Sequence, residues 1–206
     1  MNQEISESNL NSDLIWKQIM SDDVNAFQML FNAFYENLVS YSHRFTQQQV
    51  ISEEIVQDVF ISLWERRRKI TIQSSLKSYL YRAVKNRTIN YVKNQLPKDQ
   101  VTTDLNENLT ITESNDEPGS ETELKEAIDK AVSHLPDKCR TIFLLSRGEG
   151  LTHKEIAAEL DISTKTVENQ IGIAIKKLRT SLKPFLNSIV FSVIFKIVLN
   201  IFWGFN

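Results

Sequence analysis

Between Arg66 and Lys98 the chain carries ten lysines and arginines and no aspartate or glutamate, with Tyr79, Tyr81 and Tyr91 set among them. Cations track a phosphate backbone and aromatic rings stack on unpaired bases, so this composition suits capture of a single nucleic-acid strand. Lys77, Tyr81 and Lys85 follow at i, i+4 and i+8, which puts them on one helix face, with Arg82 beside them. Tyrosines on helices also pack as half-buried core residues, and spacing alone leaves both roles open. The next stretch reverses the sign: residues 99–129 hold ten acidic groups and one lysine. The formal net charge of −2 therefore conceals a basic remainder of 23 cationic against 16 anionic residues, a net of +7.

A second set of groups lies in LTHKEIAAELDISTKTVENQIGIAIKKLR, residues 151–179. Thr152 and Glu155 form the T-x-x-E pattern of a capping box and open a short helix through Leu160. Asp161, Ile162 and Ser163 make a turn, and Ser163 caps the helix that follows. With Val167 set inward, Ile171, Ala174 and Leu178 share its face, while Lys165, Glu168, Asn169, Lys176 and Arg179 lie opposite. Asparagine pairs with adenine through two hydrogen bonds, and lysine or arginine reaches guanine or phosphate. The order of cap, helix, turn and helix predicts a helix-turn-helix reading the major groove. A plain amphipathic hairpin with a solvated face fits the same spacing.

These groups need scaffolds, and the composition supplies helices. Hydrophobic residues make up 41% and charged residues 24%, while five glycines and four prolines are too few for the tight turns of an all-β protein. AFQMLFNAFYENLVSYSHRF predicts one helix. SEEIVQDVFISLWERR predicts a second, with Val56, Val59, Phe60 and Leu63 inward, Ser52 as N-cap, and Glu53 and Glu54 at the positive end of its dipole. SLKSYLYRAVKNRTINYVKN predicts a third, with Leu76, Leu80, Ala83 and Val84 inward. The expected fold is all-α: two small helical domains, residues 24–94 and 121–183, joined by a flexible acidic linker at 95–120. Residues 1–23 read as an N-terminal tail. Cys139 is the single cysteine, so there is no disulfide framework and no thiolate metal site. The polar, acidic N-terminus lacks the order of a signal peptide, and both features suit a reducing cytoplasm. His43, His134 and His153 are scattered, and no nucleophile–base set or metal cluster appears, so the expectation is no cofactor, no metal and no enzyme.

EEIVQDVFISLWERR, SLKSYLYRAVKNRTINYV and LPDKCRTIFLLSRGEGLTHKEIAAELDISTKTVENQIGIAIKKLR, in that order, resemble the extracytoplasmic-function sigma factors of the sigma-70 family. The resemblance covers roughly residues 24–182 and rests on three blocks at family spacing. It implies a non-catalytic subunit that binds core RNA polymerase, directs recognition and opening of promoter DNA, and answers to an anti-sigma factor. By position, the helix at 53–65 would dock on the polymerase through Glu54, Gln57, Asp58, Ile61 and Trp64. Residues 24–94 would act as region 2, with Arg67, Lys69, Lys77, Tyr81, Arg82 and Lys85 engaging and melting the minus-ten element. The linker would thread the polymerase. Residues 121–183 would act as region 4, reading the minus-thirty-five element through Ser163, Thr164, Lys165, Thr166, Asn169, Gln170 and Lys176. Asp161 stands where the family usually has glycine, a substitution its short polar side chain tolerates. Glu168, Gln170, Ile173 and Ile175 stand where relatives often carry cations, which implies fewer neutralised phosphates and weak binding by this domain alone.

Three points stay open at this level. The acidic linker either folds back on residues 66–98 or serves as a soluble tether. The tail at 184–206 is apolar enough that residues 185–205, about 31 Å as a helix, approach the thickness of a bilayer. Its aliphatic and phenylalanine residues favour insertion by roughly 4–8 kcal/mol against about 3 kcal/mol from Lys196, and Ser188, Ser192, Lys196 and Asn200 draw a polar stripe. Peripheral contact with the inner membrane and packing on a partner or on the chain itself both fit. The rival reading of the whole is a free-standing helix-turn-helix regulator with a sensing or dimerising N-terminal domain, which leaves the basic run without a purpose.

Overall fold

A computed structural model describes residues 12–72, 75–96 and 121–183. Among them there are eight α-helices and no strand, and the chain divides into two compact units between Asn94 and Gln95. The acidic linker from residue 97 onward and the apolar tail lie outside the described residues, and with them the fold-back and membrane readings.

The first unit holds α1 (Ser12–Met20), α2 (Val24–Thr46), α3 (Gln49–Arg66) and α4 (Leu76–Gln95). Its core is a ladder of inward rows spaced three and four apart: Leu30, Phe34 and Leu38 from α2, Val56, Phe60 and Leu63 from α3, and Leu80 and Val84 from α4. Ile15 and Ile19 of α1 enter the same cluster, so much of the segment expected to be a tail is part of the fold. The signal for this was two isoleucines four apart, both turned inward. Asp23 caps α2, its side chain accepting from the amides of Asn25 at 2.9 Å and Ala26 at 3.1 Å.

The start of α3 differs from expectation. The helix begins at Gln49, so Ser52 lies inside it rather than at its N-cap, and Glu53 and Glu54 fall beyond the first exposed amides. The reason is tertiary. Ser52 is buried and its hydroxyl is 2.7 Å from that of Thr46, the last residue of α2, while also donating to the Gln48 carbonyl oxygen at 2.9 Å. Thr46 Oγ1 in turn accepts from the Gln48 amide at 3.2 Å. Two buried hydroxyls thus close the α2–α3 turn. A second buried pair, Ser42 and Thr88 at 2.9 Å, joins α2 to α4.

The second unit holds α5 (Glu121–Ser133), α6 (Asp137–Arg147), α7 (His153–Leu160) and α8 (Thr164–Ser181). Ile142, Leu144 and Leu145 of α6 and Ile156 of α7 are wholly buried, and Val167, Ile171, Ala174 and Leu178 bring α8 onto them. Arg140 is buried as well, donating to the Leu135 carbonyl oxygen at 2.9 Å and to Asp137 at 2.7 Å. Cys139 Sγ donates to the Gln170 carbonyl oxygen at 3.3 Å and ties α6 to α8. Burial pushes this thiol up to about 12, with Lys177 and Arg140 pulling weakly the other way. A folded-state value above the ordinary 9.0 stabilises the fold fully below pH 9, and that contribution is lost as pH climbs toward 12. Chemical denaturation of wild type against Cys139→Ala across this range should show the wild type losing stability more steeply; parallel curves would refute the assignment.

Candidate nucleic-acid interface

The outer face of α3 is polar with one apolar centre. Glu54, Gln57, Asp58 and Glu65 are exposed, and Ile61 among them is 54% exposed. Gln57 donates to the Tyr35 hydroxyl at 3.3 Å. Asp58 accepts from Arg87 of α4 at 2.9 Å, and the same guanidinium donates to Ser62 at 2.6 Å. Trp64 differs from the other expected docking residues. It is half-buried, with its ring 5.0 Å from that of Phe27 and the Arg67 guanidinium 4.1 Å from the indole centre. The indole therefore serves the packing of α3 on α2 as much as any surface.

Past α3 the chain turns through Arg67, Arg68 and Lys69, with Lys69 and Ile70 amides donating to the Arg66 carbonyl oxygen at 2.8 and 3.1 Å. Cations here sit at the negative end of the helix dipole. Ile70 and Ile72 pack against the core, so the basic loop is anchored rather than loose. Lys69 and Arg82 are exposed, whereas Lys77, Tyr81 and Lys85 are partly buried along one face of α4. Tyr81 meets Tyr41 edge-on at 5.7 Å, and Lys77 Nζ lies 5.8 Å from the Tyr81 ring centre. The tyrosine is thus half-buried, its packing on Tyr41 of α2 fixing the ring beside Lys77.

In the second unit every local expectation for the turn is met. Thr152 and Glu155 form the reciprocal capping box, with the Thr152 amide donating to the Glu155 carboxylate at 2.8 Å and the Glu155 amide to the threonine hydroxyl at 3.3 Å. Asp161 takes the left-handed conformation at φ 56°, which ends α7 and lets the Ile162 amide donate to the Ala157 carbonyl oxygen at 3.0 Å. Ser163 accepts from the Thr166 amide at 3.0 Å and starts α8. Ser163, Thr164, Lys165, Asn169 and Lys176 are exposed and Thr166 is partly so, its hydroxyl 2.9 Å from that of Ser163. Lys165 meets Glu168 at 3.5 Å in a weak surface pair.

Gln170 requires a correction. It is 8% exposed and so does not join the outward row, and its backbone carbonyl accepts from Cys139 of α6. Helix geometry carries the signal that could have found this: at about 100° per residue Gln170 stands roughly 60° from Val167, at the border of the inward stripe. Lys165, Asn169 and Lys176 stand within about 20° of the opposite side. Sequence reasoning also missed Asp22, Arg68 and Arg87, whose pairings join residues far apart in the chain. No cluster of three or more His, Cys, Asp or Glu able to hold a metal occurs among the described residues, and none of the helices there is long and apolar enough to cross a membrane.

Both units match known families. Residues 30–96 match the model for Sigma-70 region 2, and residues 125–178 match that for Sigma-70, region 4. The ECF RNA polymerase sigma-E factor of Haemophilus influenzae is 22% identical over 186 residues, spanning 86% of this chain and 98% of that protein. The ECF RNA polymerase sigma factor SigW of Bacillus subtilis is 25% identical over 176 residues, spanning 81% of this chain and 94% of its own. Among solved structures, the sigma factor RpoE in complex with the anti-sigma factor NepR, from Bartonella quintana, aligns over 79% of this chain and 98% of that one. Its TM-score is 0.42 at 16% identity.

Proposed function

The chain belongs to the sigma-70 family, as an extracytoplasmic-function sigma factor, and from that premise we propose how its surfaces divide the work of starting transcription. It is not an enzyme; it supplies core RNA polymerase with promoter recognition, and the polymerase does the chemistry. The face of α3 around Asp58 and Ile61 docks on the polymerase. The α3–α4 loop and α4 receive the minus-ten element and its parted strand through Lys69, Lys77, Tyr81, Arg82 and Lys85. The helix α8 enters the major groove upstream with Ser163, Thr164, Lys165, Thr166, Asn169 and Lys176. The observation that carries this reading is one chain holding both a basic, aromatic-bearing α4 and a fully capped helix-turn-helix. The free-standing regulator explains only the second.

Control by an anti-sigma factor belongs to the same proposal and rests on the family resemblance. Peripheral contact of residues 185–205 with the inner membrane rests on their apolar composition alone. Fractionating cells that express the full chain and a chain ending at Lys183 tests it, and identical soluble distributions would remove it.

Run-off transcription with purified core polymerase on genomic fragments tests the main reading. Specific start sites should appear only when this protein is added. With Lys165→Ala and Asn169→Ala together, output from promoters carrying the upstream element should fall roughly thirtyfold, about 2 kcal/mol at about 1 kcal/mol for each lost contact. No change in start sites on adding the protein would overturn the function. An unaltered output from the double variant would overturn only the assignment of α8.

A further inference from the structure

The turn between α1 and α2 holds an acid that lies outside the family match. Asp22 adopts φ 66°, a left-handed conformation uncommon for any residue with a Cβ, and its amide is fixed by the Ile19 carbonyl oxygen at 3.0 Å. This turn delivers the carboxylate to the end of α3. Asp22 Oδ1 accepts from Arg67 Nε at 2.7 Å and also from Arg67 Nη2, while Oδ2 accepts from Arg68 Nη2. The hydrogen bond from Arg67 is the largest influence; with the hydrogen bond from Arg68 and the charges of both arginines it outweighs the opposing desolvation and holds the carboxyl below its ordinary value, so the group stays anionic.

The two arginines are held unequally. Arg67 is 18% exposed, lies over Trp64 and donates to the Trp64 carbonyl oxygen as well as to Asp22. Arg68 is 69% exposed, and Asp22 is its described ion-pair partner. A carboxylate bridging two guanidiniums reproduces what a backbone phosphate offers them. We propose that Asp22 is an internal stand-in for a nucleic-acid phosphate: it fixes Arg67 as a post and occupies Arg68 until a phosphate of the captured strand takes its place. The proposal rests on the reading of residues 66–98 as the strand-binding segment. It changes two roles within that reading. Arg67 becomes a positioning residue for the loop rather than a DNA contact, and Arg68 becomes the contact. The exchange leaves Arg68 paired before and after, so it withholds loose, nonspecific binding by the free protein without blocking the engaged state.

A double-mutant cycle on the full-length chain tests this, with a labelled single-stranded oligonucleotide titrated across a salt series. Wild type, Asp22→Asn, Arg68→Gln and the double variant are compared, and circular dichroism establishes that each is folded. Asp22→Asn should bind about fivefold tighter at low salt, with a log–log salt slope steeper by about 0.7, the increment for one more neutralised phosphate on a single strand. Arg68→Gln should cost less than about twofold in the wild-type background and about tenfold in the Asp22→Asn background, because only the released guanidinium contributes fully. Equal factors in the two backgrounds would show that the carboxylate does not compete and would overturn the proposal. If Asp22→Asn does not fold, Asp22→Gly replaces it, since glycine accepts this φ without strain. Lys85→Ala is the separate check on the underlying reading. If it and Arg68→Gln both leave binding unchanged in every background, the strand-binding segment itself has been misplaced.

Discussion

With Lys77 and Lys85 changed to alanine and Tyr81 to leucine, promoter opening is expected to fall roughly a hundredfold while the proposed docking face of α3 is untouched. The three side chains share one face of α4, and Lys77 Nζ lies 5.8 Å from the Tyr81 ring centre. A base stacked on a tyrosine contributes about 1–3 kcal/mol, and each lysine on a single strand adds a slope of about 0.7 in log affinity against log salt. Loss of one stack and two phosphate contacts, about 3 kcal/mol together, gives the hundredfold figure. Leucine is chosen because Tyr81 also meets Tyr41 edge-on at 5.7 Å, and an alanine there would open a gap against α2. A fluorescent base analogue in the minus-ten element reads opening directly, and the salt slope should flatten by about 1.4. Opening at the wild-type rate would show Tyr81 to be a packing residue alone.

Phe60→Ala is expected to destabilise the first unit by about 3–5 kcal/mol, the range for deleting a buried phenylalanine. Phe60 is 2% exposed and stands between Phe27, edge-on at 6.0 Å, and Phe31, tilted at 4.9 Å. Neither neighbour can fill the void without leaving its own contacts, since Phe31 stacks on Tyr35 at 4.6 Å and Phe27 lies against Trp64 at 5.0 Å. A small domain has about 5–15 kcal/mol of stability in all, so the variant should be close to unfolding at growth temperature. Urea denaturation followed by tryptophan fluorescence suits the measurement, because Trp16 and Trp64 both pack on this core. A midpoint unchanged from wild type would show that the aromatic cluster carries little of the stability. Transcription should fail along with the fold, because the proposed docking face and Phe60 lie on opposite sides of α3.

The amino-acid sequence determined whatever depends on groups a few residues apart. The capping box of Thr152 and Glu155, the left-handed Asp161 and the Ser163 cap are each closed by bonds spanning three to five residues, so α7, its turn and the start of α8 were readable as written. The inward rows of α3 and α4 followed from periodicity in the same way, and the separation of charge needed only counting. Tertiary structure decided what depends on partners distant in the chain. Trp64 is turned inward by Phe27, 37 residues before it, and Cys139 of α6 reaches the backbone carbonyl of Gln170, 31 residues on, at a position of α8 that is buried. Asp22 meets Arg67 across 45 residues, and Asp58 meets Arg87 across 29. A helical pattern tells which stripe is apolar, but not which neighbour covers its borders or which opposite charge waits there. Those choices belong to the packed helices, because only their approach brings such groups within hydrogen-bonding reach.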